Sequence, residues 1–255
     1  MALVIDTSYY IFYRYFATAR WATHADITER EKILAAFERH FYSDLNNWKA
    51  TGADIYFCLD CPREQIWRRE IFPEYKKGRV TSESFDTNAF PTIYSILDEK
   101  IDGIHICKGA RLEADDCAYL IVSDIIEKTP EMRITVITND NDYLQMDDRV
   151  SIQNMQGEDI RARALKKLNA KTAAECLLMK ILMGDKSDEI PPVCAGIGPK
   201  TAEKLVAMSE ADRMAFLTKK MGCPTLVEAA IKRNKTIISF EEIPIGLRKI
   251  DLKIK

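Results

Sequence analysis

Five short apolar runs rich in β-branched residues, at 2–5, 54–59, 104–107, 133–138 and 150–153, alternate with helix-length stretches along this chain. Between the first two, Ile33, Leu34, Phe37, Phe41, Leu45 and Trp48 fall on one face of a helix predicted over 29–48. Strands separated by such helices predict an α/β fold, in which a central, mainly parallel, twisted sheet is flanked by helices. Sheets of this kind place their ligands beyond the carboxyl ends of the strands. Asp6, Asp60 and Asp140 follow three of the predicted strands, so the rule gathers three acids on one rim.

More acids sit close by in sequence. Glu113, Asp115 and Asp116 precede a helical run at 117–127, where a helix N-terminus favours negative charge. Asp142 follows Asp140 by two residues, and Asp185 and Asp188 form a further pair. A single strand-terminal aspartate is often a cap or turn residue. Nine carboxylates in five such groups would repel one another unless cations sat among them, and hard oxygen donors suit Mg²⁺ or Mn²⁺. Two such ions can assist an in-line phosphoryl displacement without a nucleophilic serine or cysteine. The histidines at 24, 40 and 105 lie outside the acidic groups and read as packing or surface residues.

Composition sets bounds on this reading. With 255 residues, 47% hydrophobic and 30% charged, the chain can bury a substantial core. A net charge of −2 conceals segregation of acids from bases and leaves a nucleic-acid partner open. No apolar stretch reads as a signal peptide or membrane span, and seven scattered cysteines read as reduced thiols. An intracellular protein with no membrane partner is therefore expected. The pair Cys58 and Cys61 lacks the second pair or histidines that a zinc site needs.

Two more constellations point to a phosphate backbone. Arg63, Arg68, Arg69, Lys76, Lys77 and Arg79 are interleaved with Trp67, Phe72 and Tyr75, bases that can track phosphates among aromatics that can stack on nucleobases. A solvated basic helix is the alternative. The second is Gly196-Ile197-Gly198-Pro199-Lys200-Thr201 ahead of a helical run, where a glycine turn brings backbone N–H groups close to an anion. A nucleotide-binding P-loop is excluded by Pro199 and by the lack of a preceding strand. After about residue 160 the character changes: 161–171 carries five bases and no acid, and helices follow. The chain divides into an α/β core at 1–160 and a helical subdomain at 161–255.

These motifs, in this order, make the chain resemble the flap endonuclease family of structure-specific 5′-nucleases, especially its viral and bacterial members. The resemblance rests on Val-Ile-Asp6, Cys-Leu-Asp60, Glu113-Ala-Asp115-Asp116, Asp140-Asn-Asp142, Gly-Asp185-Lys-Ser-Asp188, the segment 67–76 and the glycine hairpin. It implies a PIN-like core with a helical arch at about 61–100 and a helix-three-turn-helix motif at about 180–210. It implies that Asp6, Asp60, Glu113, Asp115 and Asp116 mainly serve one metal, and Asp140, Asp142, Asp185 and Asp188 the other. Lys76 would contact the scissile phosphate and Arg79 would assist. Arg68, Arg69, Tyr75 and Lys77, with Gly196, Ile197, Gly198, Lys200 and Thr201, would bind DNA, with a potassium ion at the hairpin. The 189–195 stretch departs from the family pattern by about one extra residue.

The implied activity is two-metal hydrolysis of phosphodiesters near a 5′ single-strand/duplex junction, as flap endonuclease or 5′→3′ exonuclease, in DNA replication, repair or recombination. A monomer is expected, and no clamp-binding peptide is read. The alternatives are a primer-removing, RNase H-type nuclease acting on an RNA/DNA hybrid, and a non-catalytic junction-binding protein; the second should have lost carboxylates that this chain keeps.

Overall fold

The computed structural model describes residues 1–99 and 101–254. Its centre is a six-stranded sheet of β1 (Ala2–Asp6), β2 (Asp54–Cys58), β3 (His105–Lys108), β4 (Ile134–Ile137), β5 (Ser151–Gln153) and β6 (Asp251–Ile254). The strand order is β5-β4-β1-β2-β3-β6, parallel throughout except for β6, which runs antiparallel to β3. The first five strands coincide with the predicted runs to within two residues. β1 is buried along its whole length, as a strand covered on both faces requires.

From β1 the chain passes to β2 on one side and later to β4 on the other, so the topology reverses between β1 and β4. The crevice at such a switch point is where α/β sheets bind ligands. One face of the sheet is covered by α1 (Thr7–His24) and α2 (Arg30–Ala50), with Phe37, Phe41 and Leu45 of the predicted helix against Ile5, Ile55 and Phe57. Beyond β2 come a single turn α3 (Arg68–Ile71) and α4 (Ala89–Glu99), whose Ile93 and Leu97 join that same core. The opposite face is covered by α5 (Ala114–Lys128) and α6 (Ile160–Leu168).

The remaining helices are α7 (Ala173–Met183), α8 (Pro199–Val206), α9 (Glu210–Met221) and α10 (Pro224–Ile238). They enclose Met179, Leu182, Val193, Leu205, Leu217 and Val227. Asn234, fully buried, donates from Nδ2 to the carbonyls of Ile181 (2.8 Å) and Pro191 (2.9 Å), tying α10 to α7 and the loop after it. Gly184 ends α7 at φ +68°, and a Cβ there would lie 2.2 Å from the Ile190 carbonyl oxygen, so only glycine fits.

The predicted arch at about 61–100 contains α3 and α4, and residues 72–88 between them hold turns and irregular chain. Glycine, proline and closely spaced charges there give no apolar face that could hold a helix against the core. The stretch 251–254 leaves the helical region and adds β6 to the edge of the sheet. None of the described helices is long and apolar enough to cross a membrane.

Candidate functional site

The carboxyl ends of β1, β2 and β4 converge as predicted. Asp6 caps α1, accepting from the Tyr9 amide (3.0 Å) through Oδ1, while Oδ2 accepts from the Thr138 hydroxyl (3.0 Å). That second bond spans the switch point. Asp60 accepts from the Ala114 amide at the start of α5 (2.8 Å) and from the Ser8 hydroxyl. Asp140 caps the 3₁₀ turn Asn141–Gln145 by accepting from the Asp142 amide (3.0 Å). Asp6, Asp60, Glu113, Asp115 and Asp140 line one cavity of about 410 Å³, together with Lys76 and Arg79.

A second cavity of about 800 Å³ adjoins it through Asp140, which lines both. Asp142, Asp185 and the glycine hairpin line this one. The Lys180 ammonium, on α7, pairs with Asp142 and with Asp185 (2.8 Å). Lys180 is a site residue that sequence reasoning missed. Its signal is a lone base inside the otherwise apolar end of α7, five residues before Asp185.

The acids fall into two electrostatic classes. Glu113, Asp116, Asp142, Asp185 and Asp188 each form an ion pair. Among the described residues, Asp6, Asp60, Asp115 and Asp140 have no basic partner within 4 Å. Burial raises the Asp60 carboxyl to about 6, helped by the neighbouring Asp6 and Glu113 and opposed by Ser8. Asp140 is also held up at about 6, by burial and then by Asp142. Asp6 is raised by burial, and Asp115 by burial with Asp116 and Glu113 beside it. Glu113 behaves oppositely: burial works against its charge, yet Lys76 and Arg68 bring it down to about 2. Asp185 is likewise lowered to about 2, because Lys180 overcomes its burial.

Glu113, Asp115 and Asp116 have oxygens within 4.8 Å of one another, a spacing that suits a shared cation. Both Asp116 oxygens, however, are taken by Arg68 in a bidentate pair with bonds of 2.7 Å, and Trp67 Nε1 donates to Oδ2 (3.1 Å). Asp116 therefore faces the interior and supports Glu113, whose amide donates to it (3.1 Å). Asp188 lines neither cavity; it pairs with Arg79 and lies 3.9 Å from Lys76.

The basic segment splits in two. Arg68 is 2% exposed and Tyr75 3%, so neither meets DNA as expected. The Arg68 guanidinium is consumed by Asp116, Glu113 (2.9 Å) and the Ile237 carbonyl (2.7 Å), and Tyr75 donates its hydroxyl to Glu113 (3.0 Å). Trp67 is buried beside them. Charge alone does not distinguish a base that faces phosphate from one that neutralises a buried acid. Lys76 stays at the cavity wall with its ammonium 2.6 Å from Glu113 Oε1. Lys77 and Arg79 are exposed, and Arg69 is half-buried.

In the hairpin, Gly196 takes φ +79°, and Gly198 caps α8 with Pro199 at its first position. Lys200 is exposed and Thr201 half-buried, while the Ile197 side chain is buried, leaving its backbone alone at the surface. The Lys220 ammonium donates to the Ala195 carbonyl (3.0 Å). That carbonyl already has a cationic partner in Lys220. All seven cysteines are free, and the three histidines line neither cavity.

Comparison with known proteins bears on the family and the fold. Residues 1–174 match the family described as 5'-3' exonuclease, N-terminal resolvase-like domain. DNA polymerase I of Streptococcus pneumoniae is 31% identical over 146 residues, 55% of this chain and 16% of that protein. Flap endonuclease Xni of Shewanella sediminis is 28% identical over 143 residues, 55% of this chain and 53% of that one. The chain thus aligns with about half, or much less, of these relatives' lengths. The fold matches bacteriophage T5 flap endonuclease, solved in complex with DNA and metal ions, with a TM-score of 0.67 and 17% identity over 94% of this chain and 89% of that chain. With its family match running from β1 to the start of α7, the chain belongs to the 5'-3' exonuclease N-terminal, resolvase-like domain family.

Proposed function

We propose that this protein is a structure-specific 5′-nuclease that hydrolyses phosphodiester bonds near 5′ single-strand/duplex junctions in DNA. The observation that carries the proposal is the cavity lined by Asp6, Asp60, Asp115 and Asp140, four carboxylates with no basic partner among the described residues. Closely grouped carboxylates with no base within 4 Å fit hard divalent cations, and Mg²⁺ or Mn²⁺ suits an all-oxygen donor set. Asp6, Asp60, Glu113, Asp115 and Asp140 would hold one ion, and Asp140, Asp142, Asp185 and Asp188 a second. When bound, such ions supply Lewis-acid stabilisation of the phosphate and an attacking hydroxide at neutral pH.

The chain's own groups do the rest. Lys76 and Arg79, on the rim above the acids, hold the scissile phosphate and offset the charge that develops on it. Ser8 and Thr138 fix the orientation of Asp60 and Asp6. The backbone of Gly196 and Gly198, with Lys200 and Thr201, holds duplex phosphates, and Arg69 and Lys77 steer the strand. None of these groups reads a base edge, so the preference is for backbone shape rather than sequence. The products are a 5′-phosphate and a 3′-hydroxyl.

The test is a product map on 5′-labelled flap DNA in Mg²⁺, with an RNA-primed duplex run beside it. Cleavage at the flap junction supports the proposal, and preferential cleavage of the primer shifts the substrate to RNA/DNA hybrids. Junction binding without cleavage in Mg²⁺ or Mn²⁺ overturns it.

A further inference from the structure

Lys76 can reach the acidic cavity only because its backbone adopts a conformation that lysine ordinarily avoids. Its φ is +53°, in the left-handed region, and Glu189 opposite it also lies there at +62°. Non-glycine residues in that region persist when surrounding contacts over-determine them. Two brackets do so here. On one side, the exposed Arg63 guanidinium donates to the carbonyls of Lys76 and of Arg79 (2.9 Å), across the turn that carries both bases. On the other side, the turn is hydrogen-bonded to the stretch after Asp185. The Lys76 amide donates to the Asp188 carbonyl (3.1 Å), the Gly78 amide to Glu189 Oε2 (2.9 Å), and Arg79 Nε to the Ser187 carbonyl (3.1 Å).

Residues 72–88 have no helix of their own to hold this turn in place. One of these bonds runs from backbone to backbone, and the others use the side chains of Arg63, Arg79 and Glu189. Arg79 is also paired with Asp188, whereas Arg63 and Glu189 hold the turn without forming an ion pair among the described residues. We infer that Arg63 and Glu189 are positioning residues that hold the 76–79 turn over the acids and couple it to the loop ahead of the glycine hairpin. This inference rests on the proposed nuclease activity. Through that link, a duplex seated on the hairpin also fixes the height of Lys76 above the phosphate to be cut.

The test measures single-turnover cleavage of a 5′-flap duplex in Mg²⁺ and junction affinity in Ca²⁺ for Glu189→Ala, Glu189→Gln, Arg63→Ala and Lys76→Ala. Glu189→Ala and Arg63→Ala lower the cleavage rate roughly 10-fold, the scale of an outer contact that orients a reactive group, with affinity unchanged. Glu189→Gln recovers most of the rate, because its amide oxygen still accepts from the Gly78 amide. Combined with Lys76→Ala, Glu189→Ala costs less than it does alone, since one of the two bases it positions is gone. A full additional loss in that background, or a loss of affinity in place of rate, overturns the inference. Hydrogen exchange over 72–82 gives a readout independent of cleavage. It rises in Glu189→Ala and Arg63→Ala and not in Glu189→Gln, and unchanged protection overturns the bracket even if the protein cuts nothing.

Discussion

Among the described residues, Asp6, Asp60, Asp115 and Asp140 line their cavity with no base within 4 Å, whereas Asp142 and Asp185 share the Lys180 ammonium and Asp188 faces Arg79. The two halves touch through Asp140 and come from the same chemistry, yet one holds concentrated charge and the other holds charge already balanced. The difference follows from topology. The first half is built at strand ends around a switch point, where helix N-termini supply N–H donors to the carboxylates but no full positive charge. The second half lies between the loops that follow β4 and α7 and the side of α7, a helix long enough to carry a lysine to both acids. A divalent ion entering the first half meets unbalanced carboxylates, while one entering the second must displace an ammonium.

Four experiments would break or sharpen this contrast. The largest effect is expected from Asp115→Asn, which should abolish cleavage in Mg²⁺ while junction binding in Ca²⁺ survives; residual turnover near the parent rate would remove the first half from the reaction. Lys76→Ala should lower turnover by about 10²–10³, the size of one preorganised electrostatic contact. An unchanged rate would make Lys76 only a counter-charge to Glu113.

The third concerns pH and metal removal. Asp60 and Asp140 are held up at about 6, above the ordinary aspartate value of 3.8, so without metal the folded state binds their protons more tightly than the unfolded chain. Metal-free stability should therefore fall as pH rises from about 4 to about 6, by up to roughly 3 kcal/mol for Asp60 and by less for Asp140, whose exposure to solvent screens it. Glu113 and Asp185, held down at about 2, act in the opposite sense and lose their contribution as pH falls below about 4. Melting temperature in chelator should peak between these windows, and Mg²⁺ should cancel the decline on the alkaline side. A flat profile in chelator would mean that the first half has a counter-charge after all. The smallest effect is expected from Lys180→Met, which leaves Asp142 and Asp185 unbalanced. It should reduce the Mg²⁺ concentration needed for half-maximal cleavage a few-fold, roughly the worth of a partly exposed ion pair, and a rise would make Lys180 part of the phosphate-binding surface instead.

Much of this molecule is legible in its sequence because it follows from period and position. β-branched runs give the five parallel strands, and the strand-end rule places Asp6, Asp60 and Asp140 together. The failures have a common physical origin. Arg68 and Tyr75 sit in a segment whose composition suits DNA, but which bases are buried depends on α5 and α10 packing from 45 and 169 residues away. Lys180 is hidden for the converse reason, a lone base in an apolar helix with nothing local to tie it to Asp142. β6 has the charged alternation of an edge strand, Asp251-Leu252-Lys253-Ile254, which differs little from that of a tail. In each case the deciding neighbour is remote in sequence, where local pattern carries no information.

The Arg68 guanidinium also has a consequence for how the protein is made. It joins the Ile237 carbonyl near the end of α10 to Asp116 and Glu113 beside the cavity. A chain emerging from the N-terminus would expose all nine carboxylates well before α10 exists to seat that guanidinium. The acidic cavity is thus completed only once α10 has been made, and a nascent chain lacking α10 would carry these acids without the contact that seats Arg68 beside them.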